Sequence, residues 1–340
     1  MTQSTVRPKI AVIGCGAIVE SLYAPALQRH SPALSLVCYD RDERRALQVA
    51  QSLGAERWAT DYREGLEDVD GAIVAVPASL HHEVAMQCLS RGVHVLCEKP
   101  LATSPEQAEE LVDAADRNSI ALSVNNGRRL FPAFRETARL VAAGSIGTPR
   151  KLKMQLGEQF DWPAASASYF GVAAGGKGVL LDIGAHVLDL VCWWLEGKPT
   201  ITDYADDSLG GTEAYAVLDF VHQRCTGRIT LSWLSRLQNR FTIIGDEGAI
   251  SSGIYDWRSL NLTTSGRTAR LRLPSTARTI SELGYEMVDN FLDVVAGKAA
   301  PLVSGRDVLP SIQLISECYS RRRRVAMPWY DAMERVLNAS

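Results

Sequence analysis

The stretch from Lys9 to Glu20, Lys-Ile-Ala-Val-Ile-Gly-Cys-Gly-Ala-Ile-Val-Glu, narrows the choice of fold more than any other part of the chain. Ile10 to Ile13 is a continuous apolar, β-branched run, which is what a parallel strand buried on both faces requires. Gly14 permits a tight turn, and Gly16 lets a pyrophosphate approach the backbone. A helix beginning near Ala17 and Ile18 then offers free N–H groups and the positive end of its dipole. Val19 occupies the third fingerprint position, where Gly or Ala is usual. By itself the stretch also fits an ordinary strand, turn and helix.

The next segment favours a dinucleotide site. Leu34 to Asp40 reads as a second apolar strand closing in a carboxylate, at about the 20-residue spacing the fingerprint asks for. A carboxylate there accepts the hydroxyls of an adenosine ribose and repels a 2′-phosphate, so Asp40 favours NAD. Arg41 comes immediately after and is placed either to stack on adenine or to pair with the extra phosphate of NADP.

From Lys9 to about Val124 strands and helices alternate with short connections, the pattern of a doubly wound parallel sheet. The helices are read at Asp42–Leu53, Leu80–Arg91 with Gly92 closing it, and from Pro105 after Thr103-Ser104. Gly14, Asp40, Val76-Pro77 and Glu98-Lys99-Pro100 all fall at the carboxyl ends of strands and therefore converge on one crevice. Beyond Ser123 the pattern changes. Helices are expected at Phe131–Ala143, Val179–Glu196, Glu282–Ala296 and Val308–Arg321. Tyr215–Phe220, Arg228–Trp233 and Phe241–Gly245 read as antiparallel strands with one covered face.

At 340 residues the chain suits two domains. Its 36 basic against 39 acidic residues, a net charge of −3, give no general pull toward nucleic acid or a membrane surface. The one basic run, Arg321–Arg324, is expected to be a solvated last helical turn. Seven scattered cysteines without a C-x-x-C read as buried small hydrophobes in a reducing compartment. No signal-peptide core and no run of 18 apolar residues is present, so a cytoplasmic location is expected.

Two clusters carry chemistry. Lys99 is a cation at the end of a buried strand, and the Lys99–Pro100 bond is a candidate cis peptide. Asp182, His186 and Asp189 are spaced i, i+4, i+7 and share one face of an otherwise apolar helix. They either satisfy one another in the interior or line a cavity, where the histidine would be the natural carrier of a hydroxyl proton. No ligand set for a metal is evident. His81, just past a strand end in His81-His82-Glu83, fits a position near the cofactor ribose.

In these residues the chain resembles the glucose–fructose oxidoreductase / inositol dehydrogenase (Gfo/Idh/MocA) family over essentially its whole length. Glu98-Lys99-Pro100 matches the family's E-K-P, and Gly175-Gly176 through Asp182 and His186 is similar to G-G-G-x-x-x-D-x-G-x-H. Val76-Pro77-Ala78-Ser79-Leu80-His81 resembles T-P-N-x-x-H, with Val76 and Ala78 departing. Asn125 to Phe134 resembles N-R-R-F-x-P-A-F, and Gly245–Gly248 and Pro301–Asp307 match late signatures. The resemblance implies a Rossmann domain over residues 1–124 and an α/β domain over 125–340 with an open, mostly antiparallel sheet, often used to form a homo-oligomer (a dimer or tetramer). It implies hydride transfer between NAD, or NADP, and a sugar or cyclitol carbinol. His186 would exchange the hydroxyl proton, Lys99 would stabilise charge on the same oxygen, and Asp182 would orient the pair and favour a charged imidazole. Arg128, Arg129, Tyr169 and Asp189 are further candidates for substrate contacts. Within the same fold, a redox-neutral NAD-dependent glycoside hydrolase and a non-catalytic cofactor-binding member are the alternatives.

Overall fold

A computed structural model describes residues 7–161, 178–208, 211–326 and 335. The first part contains β1 (Lys9–Ile13), α1 (Ala24–Gln28), β2 (Ser35–Tyr39), α2 (Glu43–Leu53), β3 (Arg57–Ala59), β4 (Gly71–Val74), α3 (His81–Leu89), β5 (His94–Glu98), α4 (Pro105–Asn118) and β6 (Leu122–Asn125). All six strands are parallel, in the order β3-β2-β1-β4-β5-β6. Strand order reverses beside β1, and such a switch point opens a crevice at the carboxyl ends of the strands. Register aligns those ends: Ile13 pairs with Tyr39 and Val74, Val74 with Cys97, and Glu98 with Asn125. The residues just beyond these strand ends therefore share one rim.

The second part contains α5 (Pro132–Ala142), β7 (Pro149–Gly157), α6 (Val179–Trp194), β8 (Thr200–Asp206), β9 (Tyr215–His222), β10 (Cys225–Ser232), β11 (Arg240–Gly245), β12 (Gly248–Gly253), β13 (Ser259–Thr264), β14 (Arg267–Arg272), α7 (Ile280–Val295), α8 (Gly305–Ser320) and β15 (Arg323–Arg324). Its nine strands run β14-β13-β12-β11-β7-β10-β9-β8-β15 and are antiparallel except for the pairs β7–β10 and β8–β15. Alternation sets its two faces. Leu152, Met154 and Leu156 of β7 turn inward, while Lys151 and Lys153 stay exposed.

Two apolar cores result, and the last helices belong to both. Met287, Val288 and Phe291 of α7 and Val308 and Ile312 of α8 pack into the core of the parallel sheet. Leu283, Leu314, Ile315 and Cys318 of the same helices pack into the core of the mixed sheet. All seven cysteines are buried and unpaired, as the apolar surroundings in the sequence suggested. Among the described residues no helix is long and apolar enough to cross a membrane.

Candidate active site

The glycine turn is built as its sequence requires. Gly14 has φ +92°, and a Cβ on it would lie 2.6 Å from the carbonyl oxygen of Ala75, so only glycine fits between β1 and β4. A Cβ on Gly16 would meet nothing within 4 Å. The N–H groups of Gly16, Ala17 and Ile18 find no acceptor among the described residues. Open space beside three unclaimed donors at a helix start is a cradle for a dinucleotide pyrophosphate. The helix beyond is irregular: Val19–Tyr23 form a π-type turn, with Val19 and Tyr23 fully buried.

Asp40 follows β2 and takes two backbone N–H groups, that of Cys15 on Oδ2 and that of Asp42 on Oδ1, each at 2.8 Å. It ties the glycine turn to the start of α2, and a carboxylate keeps further lone pairs for a ribose. Arg41 is exposed and has no partner among the described residues. At the end of β5, Glu98 Oε1 accepts from Tyr23 Oη (2.7 Å) and Asn125 Nδ2 (2.8 Å). Burial and that carboxylate push the Tyr23 phenol up. The Oδ1 atoms of Asn125 and Asn126 are buried without partners among the described residues. Sequence reasoning misses Tyr23, because its place at the end of the Val19–Tyr23 turn carries no signal that it reaches Glu98.

The Lys99–Pro100 bond is cis, as anticipated, and Ser31–Pro32 is cis as well. Lys99 Nζ donates to Asp182 Oδ1 at 2.6 Å and to the Asp182 carbonyl at 3.1 Å. This pair joins the rim of the parallel sheet to the first turn of α6. One helical turn on, His186 is half-buried, and its Nδ1 has no partner among the described residues. Burial, then the charges of Lys99 and Arg128, hold its pKa well below the usual 6.5. Asp182 thus serves Lys99 rather than His186, and the imidazole is neutral. The expectation that Asp182 favours a charged imidazole is corrected.

Three further expectations change. His81 is 1 % exposed, with Nδ1 2.7 Å from the Pro100 carbonyl and Nε2 2.8 Å from the Val76 carbonyl. It spans the loops after β4 and β5 instead of facing a ribose. A singly protonated ring donates to only one of those carbonyls, and burial lowers its pKa against the second proton. Pro77 is exposed between them.

Arg129 and Asp189 hold one another: Nε to Oδ2 at 2.8 Å and Nη2 to Oδ1 at 2.7 Å, with Asp189 1 % exposed. Arg129 also lies over Trp193, 5.3 Å from the ring centre. With both oxygens taken, Asp189 has none to present to a substrate. Arg128, the preceding residue, takes no such partner among the described residues. Tyr169, like Gly175–Lys177, lies outside the described residues.

The basic run is exposed along its length, as expected, but Arg322 departs from a purely solvated turn. Arg322 bonds two carboxylates that are both fully buried, Asp206 (Nε to Oδ2, 2.6 Å) and Glu213 (Nη2 to Oε2, 3.0 Å). Glu213 grips the start of α6. Its Oε1 accepts from the Gly178 N–H (2.9 Å), the Leu180 N–H (3.1 Å) and Tyr319 Oη (2.8 Å), and its carbonyl takes the Val179 N–H (3.0 Å). The helix has no side-chain cap from Gly178, so Glu213 supplies the acceptor from another strand region. A Cβ on Gly178 would lie 1.9 Å from the Glu213 carbonyl oxygen. Nothing local in the sequence marks Glu213 for this.

A doubly wound sheet with an open glycine cradle, facing a lysine–aspartate pair and a neutral histidine, defines an NAD(P)-dependent oxidoreductase. Comparison with known proteins agrees: residues 8–126 match the family model described as an oxidoreductase family with an NAD-binding Rossmann fold. Residues 134–251 match the GFO/IDH/MocA C-terminal domain. The chain belongs to the Gfo/Idh/MocA oxidoreductases. It is 25 % identical over 324 residues to scyllo-inositol 2-dehydrogenase (NAD(+)) of Bacillus subtilis (strain 168), covering 90 % of this chain and 91 % of the relative. Its fold is shared with a 3-ketoreductase from Actinomadura kijaniata crystallised with NADP and TDP-benzene. That match has TM-score 0.80 and 23 % identity, over 95 % of this chain and all of the other. It is also shared with levoglucosan dehydrogenase in complex with NADH and levoglucosan, at TM-score 0.82 and 18 % identity, over 92 % and 96 %.

Proposed function

We propose that the protein moves a hydride between a nicotinamide dinucleotide and a secondary hydroxyl or ketone of a sugar, sugar derivative or cyclitol. The observation that carries this reading is the Lys99–Asp182 pair at 2.6 Å, set beside a neutral His186 at the carboxyl rim of the parallel sheet. Gly14, Gly16, Ala17 and Ile18 would hold the pyrophosphate. Asp40 would hold the adenosine ribose, with Arg41 beside it, and Val76, Pro77, Glu98 and Lys99 would line the way to the nicotinamide. The bound dinucleotide supplies the hydride acceptor or donor. In oxidation, neutral His186 takes the hydroxyl proton, which only an unprotonated ring can do. Lys99 donates a hydrogen bond to the same oxygen and opposes negative charge as it develops. Asp182 keeps the ammonium group aimed. In reduction the same groups run in reverse, with His186 returning the proton.

The relative that dehydrogenates scyllo-inositol and the neighbour bound to levoglucosan support a polyol substrate. We infer as well that copies assemble as a dimer or tetramer through the open face of the mixed sheet, where Val221 and Ile244 are exposed. The protein is inferred to act in the reducing cytoplasm, where its seven buried thiols stay unpaired.

The test is a fluorescence titration with NADH and NADPH, then a screen of polyols for stoichiometric formation of reduced cofactor. Tight cofactor binding with turnover of a polyol supports the reading. Binding of neither dinucleotide removes it, and turnover without net reduced cofactor would point to the redox-neutral hydrolase instead.

A further inference from the structure

Two arginines sit side by side in the short turn Gly127–Leu130 after β6. They meet opposite fates. Arg129 has its own carboxylate, the bidentate Asp189. Arg128 has none. Its guanidinium lies near the phenol of Tyr255, and its Nη1 is buried without a partner among the described residues. It lies near enough to Asp182 and His186 to feel the one and act on the other. Asn125, three residues before it, is the register partner of Glu98, which precedes Lys99.

Charges around that point do not balance. Arg128 acts on the neutral His186 and feels a single carboxylate, Asp182, which is already bonded to Lys99 at 2.6 Å. Among the described residues two cations therefore face one anion. Residues 162–177, which lie between β7 and α6 in the chain, contain Lys177 and neither Asp nor Glu, so the missing negative charge does not come from there. A half-buried guanidinium with an orphaned donor leaves a desolvated charge unless an anion completes it. Its planar fork matches a carboxylate or a phosphate, which accept two parallel N–H bonds.

We propose that the substrate is an acid: a polyhydroxylated molecule whose carboxylate or phosphate group is bound by Arg128 while its carbinol faces Lys99 and His186. This rests on the proposed roles of Lys99, Asp182 and His186 and adds a selection that those roles do not require. Arg128 is on this view a specificity-determining residue. Tyr255, half-exposed, is the neighbour that would orient the guanidinium.

The experiment is a binding comparison that needs no turnover. The NADH-loaded protein is titrated calorimetrically with D-glucose, D-glucuronate and D-glucose 6-phosphate, three molecules that share hydroxyls and differ in the anion. The acid that fits should bind about 10- to 100-fold more tightly than glucose, the range for one charge-assisted hydrogen-bond pair. Whether glucuronate or the phosphate leads distinguishes the two anions. In Arg128→Gln that advantage should fall to within about threefold, and Arg128→Lys, which keeps the charge and loses the fork, should retain part of it. NADH titration of each variant shows that it is folded.

Glucose binding as tightly as either acid, or neither acid binding, overturns the inference, and so does an advantage that survives Arg128→Gln. None of these results touches the oxidoreductase reading. That reading falls on the separate finding that no polyol, acidic or neutral, is turned over with either dinucleotide.

Discussion

Replacing Glu213 tests how α6 is held at the site, and the structure separates two accounts of it. Glu213 gives Oε1 to three donors, the N–H groups of Gly178 and Leu180 and the Tyr319 hydroxyl, at 2.8–3.1 Å. It gives Oε2 to Arg322, which Asp206 also holds. Glu213→Ala leaves those three donors without an acceptor. Each buried orphan costs about 1–3 kcal/mol, water recovers part of it, and breaking a buried pair usually totals about 3–5 kcal/mol. Glu213→Gln is a different perturbation. The amide oxygen still accepts from the helix N-terminus, and Arg322 keeps Asp206.

Two carboxylates on one arginine carry an excess negative charge, and burial pushes the Glu213 carboxyl up. Burial thus works against the charge on Glu213 in the folded state, so losing that charge while keeping the acceptor costs roughly 1 kcal/mol or less. The assay is urea unfolding followed by intrinsic fluorescence, with kcat measured on the same preparations. Alanine should shift the midpoint strongly and lower kcat more than it weakens NADH binding, because Asp182 is one turn from the loosened end. Glutamine should do little of either. Equal damage from glutamine and alanine would refute the acceptor argument and leave charge against the helix dipole as the cause.

Other substitutions probe the remaining parts. His186→Ala should lower kcat by about 10²–10⁴-fold with NADH affinity nearly unchanged; an active variant would reject His186 as the proton carrier. Since burial and two cations depress that imidazole, the acid limb of kcat/KM for alcohol oxidation should fall below the ordinary value of 6.5. The same depression means that the unfolded chain binds this proton more readily. His186 therefore lowers stability as pH falls from 6.5 toward its folded value, which urea midpoints across that window would report. Asp40→Ala should weaken NAD binding more than NADP binding in parallel titrations; equal losses would mean that Asp40 acts only through the N–H groups of Cys15 and Asp42. Asp189→Asn strands Arg129 in the core and should cost about 3–5 kcal/mol in the same unfolding assay, whereas a loss under about 1 kcal/mol would place the pair among solvated bridges.

The parallel sheet was legible because each of its central strands is a continuous apolar run bounded by a turn signal. Gly14, Asp40, Pro77 and Lys99 mark the strand ends, and the crevice arises from their shared rim. Much of the mixed sheet was not. β14 is Arg-Thr-Ala-Arg-Leu-Arg and largely exposed, so its sequence has no buried face to announce it, and pairing with β13 makes it a strand. β12, Gly-Ala-Ile-Ser-Ser-Gly, is equally mute, its one large apolar side chain being Ile250. In such strands the partner supplies what local preference lacks. The π-type turn at Val19–Tyr23 likewise came from packing, with Val19 filling the space where a smaller residue is usual.

Spacing on a helix says which residues share a face, and nothing about which far segment each will meet. Asp182, His186 and Asp189 fall on one face of α6, yet β5 sends Lys99 to the first and the turn after β6 sends Arg129 to the last. His186, between them, receives no carboxylate and stays neutral. The neighbours in that turn divide in the same way. Arg129 takes Asp189 and Lys99 bonds Asp182, so Arg128 makes no ion pair with either helix carboxylate. An i, i+4, i+7 stripe that looks like one polar cluster is divided between two ion pairs from different segments, with His186 between them.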